Sequence, residues 1–134
     1  MRTRRLTLNT SDRRVVDITE PILSFAGEAP EDGLLSVFAP HATAGLAVME
    51  TGAGSEEDLE DAIERLLPRS GGYRHGHGSP GHGADHLLPV FVSPSLVLPV
   101  EGGTVVLGTW QRVVLVDTNR ENNKRQVILS MVPT

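Results

Sequence analysis

Short segments rich in Val and Leu recur along this chain, and turns containing Gly, Pro, Asn or Ser separate them. Segments of this composition between such turns are typical of β-strands. The sequence predicts strands over residues 34–39, 45–50, 96–100, 104–107, 110–117 and 126–132. The Glu101-Gly-Gly turn between two of them predicts a β-hairpin.

Helical patterns interrupt the strands. The clearest covers residues 55–67, where the apolar residues form one stripe at helical spacing: Leu59, Ala62, Ile63, Leu66 and Leu67. Ser55 stands at the position of an N-cap for this helix. Shorter helices are predicted over residues 20–26, capped by Thr19, and over residues 84–92.

The N-terminal segment predicts a second hairpin. Residues 4–9 alternate, with Leu6 and Leu8 on one face, and residues 15–18 follow an Asn-Thr-Ser-Asp turn. Strands with two to three intervening short helices indicate an α+β fold with mainly antiparallel sheets. A chain of 134 residues has the size of one domain, which we expect to span residues 1–134.

Charge and composition exclude several classes of protein. Twelve Lys and Arg against seventeen Asp and Glu give a net charge of −5, which argues against nucleic-acid binding. The chain has neither the apolar run of about 18 residues that a membrane span needs nor an apolar signal-peptide core. We therefore expect a cytoplasmic protein without membrane contact. Because Cys is absent, His and carboxylates are the candidate metal ligands.

The histidines are unevenly distributed. All five lie between residues 41 and 86, and four fall within twelve residues: His75, His77, His82 and His86. The i,i+4 spacing of His82 and His86 places both imidazoles on one helix face, while His75 lies on a Gly-rich loop. This spacing is compatible with a shared divalent ion. A solvent-exposed His/Gly loop that binds nothing is the alternative.

Three other places could carry chemistry. His41 ends a predicted strand and precedes Ala-Thr-Ala-Gly, small residues that let the backbone approach a ligand. Glu50 ends the next strand and could orient a metal-bound His or act as a base. Trp110 and Gln111 could present an indole face and an amide to a planar heterocycle. Structural roles are the alternatives: a hydrogen-bonded His, a solvent-facing carboxylate and a core Trp.

Several motifs together resemble one known family. In chain order they are His41-Ala-Thr-Ala-Gly-Leu, Tyr73-Arg-His75, His86-Leu and Leu107-Gly-Thr-Trp-Gln111. The chain is similar to the YjbQ family, also called UPF0047, from about residue 4 to residue 132. The resemblance implies a compact α+β fold, a homotrimer and secondary thiamine-phosphate synthase activity. In that weak transferase reaction a thiazole phosphate displaces pyrophosphate from hydroxymethylpyrimidine diphosphate, normally with a divalent metal ion.

The resemblance also implies residue roles. The expected catalytic residues are His41, Glu50 and Gln111. The expected metal ligands are His41, His75 and His86, with His82 as an added nitrogen. If the protein is such a transferase, the candidate anion contacts are Arg74, Arg120, Lys124 and Arg125, and Trp110 could stack on the pyrimidine.

The chain departs from the family pattern in three places. His82 stands where relatives usually have Asn, and Asp85 stands where a small residue is usual. After Asp117, a longer polar tail replaces a sequence close to Gly-Pro-Arg. These departures bear on the ligand and the reaction more than on the fold.

Three functions stay open at this point. The first is the transferase, acting on a small phosphorylated metabolite with Zn²⁺, Mn²⁺ or Mg²⁺. The second is a metal-dependent hydrolase of a small ester, lactone or phosphate, with Glu50 close to the metal. The third is a non-catalytic trimer that binds a metal or a metabolite. Several imidazoles suit Zn²⁺ or Mn²⁺ better than Mg²⁺, which prefers oxygen ligands.

Overall fold

The computed structural model describes residues 1–134 and contains two antiparallel sheets and three helices. The strands are β1 (Arg2–Asn9), β2 (Val15–Asp17), β3 (Gly33–Phe38), β4 (Ala44–Met49), β5 (Ser95–Glu101), β6 (Thr104–Val105), β7 (Arg112–Asp117) and β8 (Lys124–Pro133). The helices are α1 (Thr19–Ala26), α2 (Ser55–Leu66) and α3 (His82–Phe91). The predicted α+β fold with antiparallel sheets is confirmed.

The two sheets and two of the helices form three layers. The large sheet has the order β1-β8-β3-β5-β6, and the small sheet has the order β2-β7-β4. The main core includes α1 and residues of both sheets, among them Phe25, Leu35, Leu46, Leu115 and Leu129. A second core joins the opposite face of the small sheet to α2 and α3.

Strand β7 is buried on both faces, which explains its continuous run of apolar residues. Val113 and Leu115 belong to the main core, whereas Val114 and Val116 contact the residues of α2 and α3. A strand covered on both sides needs apolar residues at every position rather than at every second one. The C-terminal end of β7, at Asp117, lies next to the candidate site.

The predicted N-terminal hairpin is wrong. Strand β1 pairs with β8 over its whole length, from Arg2 opposite Met131 to Asn9 opposite Lys124. Strand β2 instead pairs with β7 in the small sheet. The turn between β1 and β2 therefore marks the place where the chain leaves one sheet for the other. A turn signal does not specify which strand pairs with which.

The Glu101-Gly-Gly hairpin is confirmed. Glu101 pairs with Thr104, and both glycines between them have positive φ, 55° at Gly102 and 80° at Gly103. A two-residue hairpin loop with positive φ at both positions favours glycine, because a Cβ atom makes that backbone region unfavourable.

The helices form where they were predicted, but the first residues of α1 and α3 and the cap of α2 differ. Thr19 is the first residue of α1, and its hydroxyl accepts a hydrogen bond from Val113 N–H at 2.9 Å instead of capping the helix. Gly54, with φ of 90°, precedes α2, and Ser55 makes no cap bond. Helix α3 begins at His82, two residues before the predicted start, so it includes both His82 and His86.

Apolar side chains also lie outside the two cores. The outer face of the large sheet exposes Leu34, Phe38, Val97 and Val132. These residues come from three neighbouring strands, β3, β5 and β8. The longest helix has only twelve residues, and none of the three has the length and apolarity of a membrane span.

Candidate metal centre

Four imidazoles meet at the start of α3. His82 and His86 lie one turn apart on the helix, and the preceding loop brings His75 and His77 against them. The ring centroids of His75 and His86 are 4.5 Å apart, and those of His82 and His86 are 4.6 Å apart. One ring nitrogen from each of His75, His82 and His86 lies within 4.8 Å of the other two. The sequence singled out these three residues, and the structure brings them together.

Glycine at two positions lets the loop lie against the helix. A Cβ atom on Gly83 would lie 2.6 Å from the Cβ of Tyr73, which is two residues before His75. At Gly78, where φ is 82°, a Cβ atom would lie 2.5 Å from the His82 ring. Contacts this short exclude a side chain at these two positions, so glycine at Gly78 and Gly83 allows the loop and α3 to lie close together.

A buried ion pair holds the cluster in place from behind. The Asp85 carboxylate is fully buried, and its two oxygens accept hydrogen bonds from Arg69 at 2.5 and 3.3 Å. Thr118, just after β7, also donates to Asp85 at 2.8 Å. Arg69 in turn donates to the carbonyls of Thr118 and Pro80. The His-rich loop, α3 and the end of β7 are thereby joined at one point.

Burial and three neighbouring imidazoles favour the neutral form of His86. Burial lowers the pKa of His86 below its ordinary value of 6.5, and the nearby rings of His75, His82 and His77 lower it further. The carboxylate of Asp85 opposes this shift without reversing it. A neutral imidazole has a free lone pair, so His86 is ready to act as a metal ligand at neutral pH.

The donor set fits a divalent cation. Nitrogens that share a Zn²⁺ ion at about 2.0–2.1 Å lie roughly 3.3 Å from each other in a tetrahedral site. His82 Nε2 and His86 Nε2 are 3.1 Å apart. The Nδ1 atoms of His75 and His82 are buried and have no hydrogen-bond partner. Buried polar atoms without partners are rare, and a bound cation would fix the orientation of these rings.

His41 does not join this group within the chain. Its Nε2 atom lies 3.0 Å from the Gln126 backbone nitrogen and 3.2 Å from the Gln126 carbonyl oxygen. Burial and the nearby Arg125 guanidinium lower the pKa of His41. The ring is therefore neutral near pH 7 and already engaged with the backbone of β8.

Glu50, Trp110 and Gln111 lie at the opposite end of the small sheet. Met49 pairs with Arg112 at the start of β7, whereas the histidine cluster lies beyond the end of β7. The six residues of a strand such as β7 span roughly 17–20 Å, so these side chains cannot reach the cluster of their own chain. Gln111 Oε1 accepts the Gly108 N–H at 2.7 Å, and the Trp110 side chain is 72% exposed.

The four predicted cationic contacts have different surroundings. Arg125 is buried, and its guanidinium donates to both oxygens of Asp117 and to the Thr43 hydroxyl. Its hydrogen bonds are used inside the fold. Arg74, Arg120 and Lys124 are exposed. Of these, Arg120 lines a cleft next to the histidine cluster.

This cleft has a volume of about 180 Å³ and a mixed lining. Three guanidinium groups line it, those of Arg14, Arg69 and Arg120, together with Thr118. Helix α2 adds three acidic residues to the same lining, Glu60, Asp61 and Glu64. Because Arg69 and Thr118 also bind Asp85, the cleft and the histidine cluster share a wall.

Sequence reasoning missed three residues of this region. His77 was noted in the cluster but not chosen as a ligand, although its ring centroid is 4.0 Å from that of His75. Arg69 gave no signal, and Glu121 was noticed only as part of the altered tail after Asp117, because each is one charged residue in a loop. Their proximity to the histidines depends on contacts between distant parts of the chain.

Comparisons with known proteins agree with these motifs. A family model described as UPF0047 protein YjbQ-like matches residues 4–134. A UPF0047 protein of Mycobacterium bovis is 59% identical over 127 residues, which cover 95% of this chain and 98% of that protein. A UPF0047 protein of Archaeoglobus fulgidus is 33% identical over 127 residues, 94% of this chain and 98% of that protein.

Solved structures share the fold. The crystal structure of a hypothetical protein from Aeropyrum pernix superposes with a TM-score of 0.90 at 31% identity and covers 100% of both chains. A YbjQ-like protein of unknown function from Sulfolobus solfataricus has a TM-score of 0.91 at 24% identity and covers 99% of this chain and 97% of that one. The second likeness supports the fold alone.

Proposed function

The chain belongs to the UPF0047 family of YjbQ-like proteins, and on that premise we propose that it binds a divalent metal ion and acts on a small phosphorylated metabolite. The observation that carries the proposal is the convergence of His75, His82 and His86 within 4.8 Å beside a cleft that contains Arg120. An ion bound there would supply positive charge for the phosphate oxygens of a substrate.

Nitrogen ligands favour certain ions at this site. Imidazole suits Zn²⁺ and Mn²⁺, whereas Mg²⁺ prefers oxygen ligands and keeps several waters. Only nitrogens are in position to share the ion here, and the nearest buried carboxylate, Asp85, is bound to Arg69. We therefore rank Zn²⁺ and Mn²⁺ above Mg²⁺.

We infer that the reaction is of the thiamine-phosphate synthase type that the family resemblance implies. Arg120 and Arg14 would contact phosphate oxygens in the cleft, and the exposed Arg74 of the His-rich loop is a further candidate. Trp110 would stack on the pyrimidine ring. Because Trp110, Gln111, Glu50 and His41 do not reach the cluster of their own chain, their predicted roles require a neighbouring subunit to supply them.

A homotrimer is part of this proposal. The apolar residues on the outer face of the large sheet, Leu34, Phe38, Val97 and Val132, offer a surface that a second copy could cover. Exposed apolar faces of this kind are typical of subunit contacts. Such an assembly is also the means by which one subunit's Trp110 could approach another subunit's histidine cluster.

Isothermal titration of the metal-free protein with Zn²⁺ tests the metal centre. We expect one site per chain in the wild type and no heat above dilution in the double variant His75→Ala with His86→Ala, because the two imidazoles that remain, His77 and His82, are fewer than the three protein ligands that hold a zinc ion. His41→Ala should bind as the wild type does if His41 stays with Gln126. Equal heats from the wild type and the double variant would remove the metal from the proposal.

The reaction is tested with the two thiamine precursors. Incubating the metal-loaded protein with hydroxymethylpyrimidine diphosphate and thiazole phosphate should yield thiamine phosphate and pyrophosphate in equal amounts, and the double variant should yield neither. A protein that binds Zn²⁺ but forms no product contradicts the transferase proposal. Acid release from a panel of small esters, lactones and phosphates would then indicate the hydrolase. Blank results in both assays would indicate a binding protein.

The hydrolase ranks second because the family resemblance implies a transferase. Glu50 is the base that the hydrolase requires, and it lies at the opposite end of the small sheet from the histidines of its own chain. The observation in favour of the hydrolase is the nitrogen-rich ligand set, which resembles the three-imidazole sites that activate water.

A further inference from the structure

Glu121 stands on the outer side of the histidine cluster. It follows β7 in the loop that leads to β8, and its Oε1 atom accepts the Ser79 backbone N–H. This bond ties the loop after β7 to the His-rich loop. The other oxygen, Oε2, lies 3.6 Å from His82 Nδ1 and has no hydrogen-bond donor. Glu121 therefore has one oxygen that is hydrogen-bonded to Ser79 and one that is free to accept a hydrogen bond from His82.

The position of the proton on His82 decides whether this ring can bind a metal. His82 Nε2 and His86 Nε2 are 3.1 Å apart and face each other. If both atoms are to share one cation, neither can carry a hydrogen, so His82 must carry its proton on Nδ1. That Nδ1 atom is buried and unpartnered, with two carboxylate oxygens at 3.6 Å.

The two carboxylates near Nδ1 differ in what they already bind. Asp85 accepts hydrogen bonds from Arg69 on both oxygens and from Thr118 on one of them. Its charge is balanced by the guanidinium. Glu121 forms no ion pair with a Lys or Arg side chain, and its only contact within 4.0 Å of this kind is His82 Nδ1. Glu121 is therefore the better acceptor for an N–H group on His82.

We propose that Glu121 is a positioning residue of this centre: it accepts the Nδ1–H of His82 and so turns the Nε2 lone pair toward the ion. This inference rests on the proposed metal site. A carboxylate that orients a ligating imidazole in this way also raises the basicity of the ligand. We expect this role in this chain rather than throughout the family, because Glu121 and His82 both lie where the sequence departs from the family pattern.

The variant Glu121→Gln separates orientation from loop anchoring. Its side-chain oxygen can still accept the Ser79 N–H, so the loop remains tied. The amide nitrogen then faces His82 Nδ1 and can only donate, which favours the tautomer with the proton on Nε2. Long-range ¹H–¹⁵N NMR of the metal-free proteins reports the tautomer, with His82 identified by the loss of its signals in His82→Asn.

We expect an Nδ1–H tautomer at His82 in the wild type and an Nε2–H tautomer in Glu121→Gln. An Nε2–H tautomer in the wild type overturns the proposal, and so does an unchanged tautomer in the folded variant. If the variant does not fold, the wild-type spectrum alone decides. Because no metal is present, this measurement does not depend on the proposed function.

Zn²⁺ titration gives the second readout. We expect Glu121→Gln to bind Zn²⁺ with the same stoichiometry and roughly 10–100-fold lower affinity. Glu101→Gln, which removes a carboxylate from the distant β5–β6 hairpin, should bind as the wild type does. Equal affinities of wild type and Glu121→Gln would reject the role of Glu121 but leave the metal site standing. Absence of binding in the wild type would reject the metal site itself.

Discussion

An Arg125→Met variant should lose roughly 3–5 kcal/mol of the free energy of unfolding, because it leaves Asp117 as a buried carboxylate without a cation. Arg125 is 2% exposed, and Asp117 is also 2% exposed. The guanidinium contacts both carboxylate oxygens, at 2.6 and 2.9 Å. The Thr10 hydroxyl donates a further bond to Asp117 at 2.7 Å, but a hydroxyl cannot balance the charge.

Urea denaturation measures this loss, and Arg112→Met is the matched control. Arg112 also pairs with an aspartate, Asp17, at 2.8 Å, but both side chains are about one-third exposed. An exposed ion pair contributes at most about 1 kcal/mol because water solvates the separated charges. Equal losses from the two variants would contradict the buried pair. An anion-binding role for Arg125 predicts the reverse, with weaker phosphate binding and unchanged stability.

A Gly45→Ala variant should lose about 3 kcal/mol of the free energy of unfolding, because the added methyl group would overlap with the backbone of Val92. A Cβ atom at Gly45 would lie 1.8 Å from the Val92 carbonyl oxygen and 2.8 Å from the Val92 carbonyl carbon. Those atoms are held in place, because Leu46 N–H donates to the Ser93 carbonyl at 2.6 Å. The sheet and the end of α3 would have to separate.

Gly72→Ala is the control for this prediction. Gly72 has no positive φ, and a Cβ atom there would have no neighbour within 4 Å. Its unfolding free energy should stay within about 0.5 kcal/mol of the wild type. A loss at Gly45 no larger than the loss at Gly72 would show that α3 does not pack closely on β4. The sequence suggested that small residues after His41 admit a ligand, whereas Gly45 admits the backbone of Val92, the residue after α3.

Much of the fold could be predicted because it depends on local patterns. Six predicted strands formed within three residues of their expected bounds, and the Gly102-Gly103 hairpin formed as the turn chemistry required. The apolar stripe of α2 faces the second core through Ile63. The i,i+4 spacing likewise placed His82 and His86 together, since one helical turn separates them.

The partners of these elements could not be predicted in the same way. The alternation in residues 4–9 indicated a strand, but not that β1 would pair with β8 more than a hundred positions later. The interpretation of Arg125 as an anion contact failed to anticipate Asp117, because a charged residue in a polar tail looks solvent-exposed until a strand buries it. His41 and Trp110 were expected near the metal, yet strand β7 separates Trp110 from it.

The amino-acid sequence by itself determined the strands, the helices and a loop dense in imidazoles, because propensity, periodicity and turn chemistry act between residues a few positions apart. Only the tertiary structure decided that Arg69 and Asp85 form a buried pair behind that loop, and that Glu121 faces His82 from the end of another strand. Such contacts join residues far apart in the chain. They form because burying both faces of β7 brings α3 and the two loops to the same end of the sheet.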